Sequence, residues 1–254
     1  LYLPLNSPHL PVVPNAEFAG KSGAGAYGDF VVETDASVGA VLAVLEAGGI
    51  ADDTLVLVTS DNGGLWHEWE PREADDVAAY KPTPRAQFTA GFGHHSNGEL
   101  RGTKADIWEG GHRVPFLARW PARVKPGQVS DALVCLTDLL ATCAEIAGAA
   151  LPAGAGRDSI SFLPALRGEK GMRTNVVHHS LAGMFSYREG PWKLCEERGS
   201  GGFSTPKTVK AAPGSPEGQL YHLKDDPAET RNVWNEHSDV MARLKAALQK
   251  VRAE

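Results

Sequence analysis

The feature that most constrains the fold is an amphipathic segment that leads into a wholly apolar one. Between residues 26 and 47 the apolar side chains recur close to every 3.6 residues, which predicts a helix, and Gly48-Gly49 is typical of a helix end. Residues 55–58 are apolar at every position, as in a strand covered on both faces. Because the chain opens on the strand-like sequence LYLPLNSPH, the order strand, helix, strand predicts a βαβ unit in a parallel sheet.

The rest of the chain divides into two parts by its pattern of apolar residues. Residues 114–120 predict a further strand and residues 137–147 a helix, both within an α/β part that we expect to span residues 1–170. After about residue 171, short strand-like pieces separated by turn residues predict a small antiparallel sheet. These pieces are residues 175–179, 184–188, 192–196 and 219–223.

The second part, residues 171–254, is predicted to be a small α+β domain. Residues 199–218 are rich in Gly, Ser, Pro and Lys, which predicts a long mobile hairpin loop. Apolar residues at helical spacing then predict a final helix, with Ser238 as its N-cap.

Charge and composition exclude several classes of protein. The net charge of -6 comes from scattered acidic and basic residues, so nothing favours binding to nucleic acid or to an anionic membrane. The longest apolar region, residues 132–150, is interrupted by Asp138 and Glu145, which predicts a soluble chain with no membrane span. The cysteines predict buried thiols and neither a disulfide framework nor a zinc site, because they include no CxxC pair; they are Cys135, Cys143 and Cys195.

The apolar strand ends directly on Ser60, Asp61, Asn62 and Gly63. One interpretation is a turn, because Asn-Gly is a common hairpin sequence. The other is a ligand site, because open α/β sheets bind their ligands at the carboxyl ends of the strands. In that case Asp61 and Asn62 offer one charged and one neutral oxygen to Ca²⁺ or Mg²⁺, and further ligands have to come from elsewhere.

Two more polar groups add to this interpretation. His9 follows the first strand-like segment, and Lys104 lies in the long stretch of residues 61–113, which has no periodicity and is typical of a functional loop. A cation and a titratable donor can together hold a tetrahedral oxyanion and handle protons around it. Taken separately, His9 also fits a turn histidine and Lys104 a solvated lysine.

In this order and spacing, SPH, TSDNG and LRGTKADIWEGGHRVP resemble the sulfatase family of the alkaline phosphatase superfamily. The resemblance continues through HHS, REGPWKL and QLYHLKDDPAETRNV, and so covers nearly the whole chain. It implies an α/β fold with a mixed, largely parallel sheet flanked by helices, as in alkaline phosphatase. A smaller four-stranded antiparallel sheet with a C-terminal helix is implied to follow.

The resemblance also implies roles for individual residues. Asp61 and Asn62 match ligands of the active-site cation, usually calcium, with magnesium as the other candidate. Lys104 matches the lysine that contacts the sulfate group, and His9 matches the histidine near the leaving-group oxygen. The implied substrate is a sulfated small molecule or glycan, and the implied location is the periplasm or the outside of the cell.

Three further histidines receive weaker assignments. His179, or its neighbour His178, matches a position that contacts substrate from the second domain. His112 stands where the family is expected to have an apolar residue, so we expect a buried, hydrogen-bonded histidine.

The sequence lacks the Cys/Ser-x-Pro-x-Arg motif from which sulfatases make their formylglycine nucleophile, and it lacks the paired aspartates expected near the family's N-terminus. Both lie upstream of SPH in the family. We therefore expect a C-terminal fragment of a sulfatase that has little or no turnover alone, with the formylglycine in an upstream segment. Two alternatives stay open: a phosphodiesterase or phosphonate monoester hydrolase of the same superfamily, and a non-catalytic remnant that binds sulfated glycans or a partner.

Overall fold

A computed structural model describes residues 1–65 and 94–253. The first part contains α1 (Gly25–Ala47), β1 (Val56–Thr59), α2 (Glu109–His112), β2 (Phe116–Arg119), a 3₁₀ turn (Leu136–Asp138), α3 (Leu139–Ile146) and α4 (Leu163–Leu166). The second part contains β3 (Asn175–His179), β4 (Phe185–Glu189), β5 (Trp192–Cys195), β6 (Gln219–His222) and α5 (Ser238–Ala253). The predicted helices and strands of residues 26–65 and 114–253 are thereby confirmed to within about two residues, apart from the first turn of the 137–147 helix, which is 3₁₀.

The first sheet corrects one prediction. β1 pairs with β2 in the antiparallel direction, with Val56 opposite Arg119 and Thr59 opposite Phe116. The opening residues 1–6 form no strand, and Leu1 and Tyr2 are almost fully exposed. The predicted parallel βαβ unit is therefore wrong for the described residues, because the opening segment makes no ladder hydrogen bonds with β1. The central part of the predicted long loop, residues 66–93, lies outside the described residues.

Helix α1 ends as its sequence predicts, but most of it is not buried. Gly49 takes a φ of +66°, and the backbone N–H groups of Gly48 and Gly49 donate to carbonyls of the last turn. Its buried residues are Tyr27, Gly28 and Asp29, whereas Val44 is 71% exposed. The apolar stripe of α1 therefore has little cover within the described residues, and none of the described helices is long and apolar enough to cross a bilayer.

The second sheet has the predicted antiparallel order β3-β4-β5-β6, and one of its faces packs on α5. Leu194 and Leu220 from the sheet meet Leu244 and Leu248 from the helix, and all four are fully buried. A buried leucine stabilises a fold by about 1.5–3 kcal/mol relative to an exposed one, so this layer is a sufficient reason for the helix to dock.

The other face of this sheet carries the segment around α2. Ile107 and Trp108 are fully buried in a cluster with Met184, Cys195 and Tyr221. All three cysteines are free, as predicted, and burial raises the pKa of the Cys195 thiol to about 12. The prediction of buried thiols is wrong for Cys143, which is exposed, whereas Cys135 is half-buried.

Part of the segment predicted to be a mobile loop is also buried. Ser200 is fully buried, Ser204 is nearly so, and the carbonyl of Ser200 accepts a hydrogen bond of 2.8 Å from the N–H of Ile107. The prediction of a mobile loop is thus wrong for residues 199–206, because their backbone bonds to the segment around α2.

A buried ion group joins the two parts of the chain. The ammonium of Lys193, on β5, lies 3.0 Å from a carboxylate oxygen of Glu109 and 2.9 Å from one of Glu229, and all three side chains are almost wholly buried. Arg188 lies 3.3 Å from the second oxygen of Glu109, and burial raises the pKa of Glu229. Two carboxylates in the interior require a cation between them.

We expect Lys193→Met to lower the free energy of unfolding by about 3–5 kcal/mol, because it leaves two buried carboxylates without their shared cation. Adding Glu229→Gln to this variant should recover part of the loss. Lys245→Met is the matched control, since Lys245 makes a surface ion pair at 3.7 Å with Glu217 and its loss should cost about 0–1 kcal/mol. Urea unfolding followed by circular dichroism measures all three, and equal losses at positions 193 and 245 would contradict the assignment.

Candidate active site

The structure brings His9 and Lys104 into contact. The ammonium of Lys104 lies 3.0 Å from Nε2 of His9, although the two residues are 95 positions apart. Nδ1 of His9 lies 3.1 Å from the carbonyl oxygen of Leu10. Since a carbonyl only accepts, Nδ1 carries the proton, and Nε2 is then free to accept from the lysine. The cation and the imidazole proposed from sequence therefore form one polar unit.

The turn that follows β1 is bonded to the loop that carries Lys104. The carbonyl of Gly64 accepts hydrogen bonds from the N–H of Lys104 at 3.3 Å and from the hydroxyl of Thr103. The amide of Asn97 bonds the same carbonyl at 3.2 Å and the carbonyl of Gly102 at 3.0 Å. The two sequence motifs thus lie side by side in the fold.

Close backbone approach explains the glycines of the turn. The N–H of Gly63 donates to the carbonyl of Gly111 at 3.0 Å. A Cβ on Gly63 would lie 1.7 Å from the carbonyl oxygen of Gly110, which no side chain can tolerate. The interpretation of this sequence as a hairpin turn is therefore not supported; Gly63 allows contact with α2, and Gly64 allows contact with Ser96 and Asn97.

Asp61 and Asn62 have the chemistry of calcium ligands. The side chain of Asp61 is exposed, and the side chain of Asn62 donates at 3.1 Å to the carbonyl of Gly63, which leaves its oxygen available. Calcium takes six to eight oxygen ligands. The residues described here contain no group of three or more acidic, His or Cys side chains suited to a metal. The pair therefore fits part of a cation site and not a whole one.

The two histidines considered for substrate contact differ in environment. His179 is exposed, and its Nδ1 lies 2.8 Å from the carbonyl of Ser180. The ring of His178 instead stacks on that of His112, with their centroids 3.9 Å apart. Nε2 of His178 is buried without a hydrogen-bond partner in the described ranges. Of the two, the structure leaves His179 accessible to a ligand.

The stacked histidines are held neutral. Burial, followed by the positive charge of Lys193, lowers the pKa of His112 to about 4. Burial and the neighbouring His112 lower the pKa of His178 well below its usual range. His112 is half-buried, and its Nε2 has no hydrogen-bond partner among the residues that the structure describes, so the prediction of a hydrogen-bonded histidine is not supported at that nitrogen.

Sequence reasoning missed three polar residues that hold the site together. The side chain of Asn97 bonds the backbone of Gly64 and of Gly102. Asp106, two residues after Lys104, is fully buried. Arg101 donates to the carbonyl of Glu229 at 2.9 Å. All three lie in an aperiodic stretch. A loop with several polar residues gives no sequence signal for which of them turn inward.

Comparison with known proteins gives matches to two family models and to curated relatives. Residues 1–149 match the family model described as Sulfatase, and residues 103–254 match the model described as N-sulphoglucosamine sulphohydrolase, C-terminal. An N-acetylgalactosamine-6-O-sulfatase of Bacteroides thetaiotaomicron is 31% identical over 99% of this chain and 47% of its own length. A steryl-sulfatase of Mus musculus is 34% identical over 100% of this chain and 41% of its own length.

Solved structures show the same fold. One, from work on glycosaminoglycan metabolism by Bacteroides thetaiotaomicron, superimposes with a TM-score of 0.78 at 30% identity, over 98% of this chain and 49% of the other. A sulfatase from Pseudoalteromonas sp. superimposes with a TM-score of 0.74 at 23% identity and covers 96% of this chain. The chain spans less than half the length of these relatives.

The neutral histidine pair makes stability depend on pH. The unfolded chain protonates His112 near pH 6.5, whereas the folded chain does so only near pH 4, so the unfolded state binds more protons between these values. We expect the free energy of unfolding to fall by about 2 kcal/mol from pH 7 to pH 5 through this residue alone. His112→Phe should flatten the profile, measured by urea unfolding at each pH. His237→Gln, at an exposed histidine, should leave it unchanged, and an equal slope in wild type and His112→Phe would contradict the prediction.

Proposed function

Because the chain belongs to the sulfatase family, we propose that it supplies one part of the active site of a sulfuric ester hydrolase. The observation that carries this proposal is the 3.0 Å contact between Lys104 and His9 beside the turn of Asp61 and Asn62. A cation, an imidazole and two hard oxygen donors on neighbouring loops suit a tetrahedral anionic ester.

Each residue has a role that follows from its chemistry. The ammonium of Lys104 contacts the non-bridging oxygens of the sulfate group and offsets their charge. His9 lies beside it. Once Nε2 of His9 carries a proton, the ring can donate that proton to the oxygen of the departing alcohol as the bond from sulfur to that oxygen breaks. His179, exposed at the end of β3, contacts the part of the substrate outside the sulfate group.

Asp61 and Asn62 would hold part of a Ca²⁺ site, with Mg²⁺ as the other hard cation that their oxygens suit. When bound, such an ion polarises the sulfate group. The remaining ligands and the formylglycine nucleophile would come from a segment outside this sequence, which has no Cys/Ser-x-Pro-x-Arg motif. On this proposal the isolated chain has little or no turnover.

The substrate class is proposed from the relatives. They are named as an N-acetylgalactosamine-6-O-sulfatase and a steryl-sulfatase, so we propose a sulfate ester of a glycan or of a small alcohol. We also propose that the protein acts in the periplasm or outside the cell, as the family resemblance implies.

The first test uses the complete reading frame that encodes this chain. Lys104→Ala should lower kcat/KM for an aryl sulfate by about 10²–10³-fold, as for loss of one oxyanion contact, with little change in thermal stability. Lys125→Ala is the control, because Lys125 is exposed next to the turn of Pro126 and Gly127 and is not one of the candidate site residues, so the variant should retain full activity.

The same assay separates the alternatives. Faster hydrolysis of a phosphodiester or phosphonate ester than of the sulfate ester would favour the related phosphoryl hydrolases. A reading frame without a Cys/Ser-x-Pro-x-Arg motif and without hydrolysis of any of these esters would overturn the proposal in favour of a non-catalytic binding protein. Full activity in Lys104→Ala would instead contradict the role proposed for Lys104.

A second test concerns the cation. Asp61→Ala should remove calcium from the purified full-length protein, because it deletes the charged one of the two oxygen donors. Elemental analysis measures the bound metal directly. Asp53→Ala, three residues before β1 in an exposed turn, is the matched control and should keep its calcium. An unchanged calcium content in Asp61→Ala would remove Asp61 from the site.

A further inference from the structure

We propose that Asp106 is a positioning residue for Lys104. Residues 199–206, which belong to the second part of the chain, hold Asp106 in place through their hydrogen bonds. The hydrogen bonds described next are the evidence that Lys104 is held in one place. That this placement matters for contact with sulfate rests on the proposed function. Lys104 itself makes two of the described hydrogen bonds, one through its N–H and one through its ammonium. Its placement therefore depends on the residues on either side.

Asp106 gathers donors from two distant segments. One carboxylate oxygen accepts from the N–H of Thr103 at 2.8 Å and from the hydroxyl of Ser204. The other accepts from the N–H groups of Phe203 at 2.7 Å and Ser204 at 3.0 Å. Asp106 is 0% exposed, and burial raises the pKa of its carboxyl. Four donors around one buried carboxylate hold the turn of residues 103–106 against the loop of residues 199–206.

The backbone between these bonds is strained. Ala105, directly after Lys104, has a φ of +80°, a conformation that costs a residue with a Cβ about 1 kcal/mol or more. Its carbonyl accepts a hydrogen bond of 2.9 Å from the N–H of Leu181. A Cβ on Gly202 would lie 2.3 Å from that same carbonyl oxygen. The second part of the chain thus holds the peptide that follows Lys104 by one hydrogen bond and one close backbone contact.

The residue before Lys104 is held from the opposite side. The N–H of Thr103 donates to Asp106 and its hydroxyl to the carbonyl of Gly64, in the turn that carries Asp61 and Asn62. Both neighbours of Lys104 are therefore fixed, one to each half of the structure. Because the lysine stem projects from this short fixed stretch, Asp106 determines where the ammonium meets His9.

Asp106→Asn breaks this arrangement with almost no change in volume. An amide accepts through one end and donates through the other. Whichever way it is oriented, its NH₂ group faces either the N–H of Thr103 or the N–H groups of Phe203 and Ser204, and a donor in the interior loses its acceptor.

The experiment follows the ring signal of His9 by ¹³C NMR in the chain of 254 residues, with assignment from His9→Gln. Lys104→Ala defines the shift that accompanies loss of the contact. We expect folded Asp106→Asn to move the His9 signal at least half of that distance, and Ser204→Ala to move it less in the same direction. Asp131→Asn, at an exposed position, is the control and should give the wild-type signal.

A wild-type His9 signal in folded Asp106→Asn would overturn the proposal. If Asp106→Asn does not fold, Ser204→Ala decides by the same criterion. Titration with sodium sulfate gives the second measurement, in which Lys104→Ala and Asp106→Asn should both bind sulfate about tenfold more weakly. Equal sulfate affinity in wild type and Lys104→Ala would contradict the proposed function, whereas the His9 signal would still report whether Asp106 positions the lysine.

Discussion

The ammonium of Lys193, enclosed between Glu109 and Glu229, is the interaction on which the rest of the structure depends. Glu109 begins α2, and the N–H of Glu109 also donates to Glu229 at 2.6 Å. From α2 the connection continues through backbone bonds, from Gly110 to Arg101 and from Gly63 to Gly111. The turn of the proposed cation ligands is therefore fixed to a charge buried in the second sheet. Desolvation makes such a group costly, so its geometry has to be complete.

The two parts of the chain differ in how completely they are packed. The second sheet is covered by α5 on one face and by the segment around α2 on the other. In the first part, by contrast, Val44 and Leu117 are mostly exposed, and α1 has three buried residues out of 23. Apolar surface of this kind on a helix and a strand is typical of a face that meets further protein. It agrees with a chain that spans less than half the length of its relatives.

The sequence predicted the elements of this fold better than their pairing. Strands β3 to β6 follow from short apolar pieces between turns, and α1 and α5 from their periodicity, since local pattern determines these elements. The direction of β1 against β2 depends on pairing between residues that are about 60 positions apart in the sequence, and no local pattern encodes such pairing. Residues 199–206 were assigned to a mobile loop because glycine and serine are common in such loops, whereas here glycine allows Gly202 to approach Ala105.

The sequence nominated the residues of the candidate site, but it did not indicate which residues hold them in place. His9, Asp61, Asn62 and Lys104 stand in recognisable motifs, but Asp106 and Lys193 would be exposed charges by any rule of composition. Because these buried charges need partners from the second part of the chain, the loop of Lys104 can reach its final structure only after that part has been made. During synthesis Lys104 is made before the partners of its loop, because Ser204 and Glu229 follow about 100 and 125 residues later. At the pace of synthesis, about 5–20 residues per second, this loop is made about 5–25 s before the residues that hold it in place.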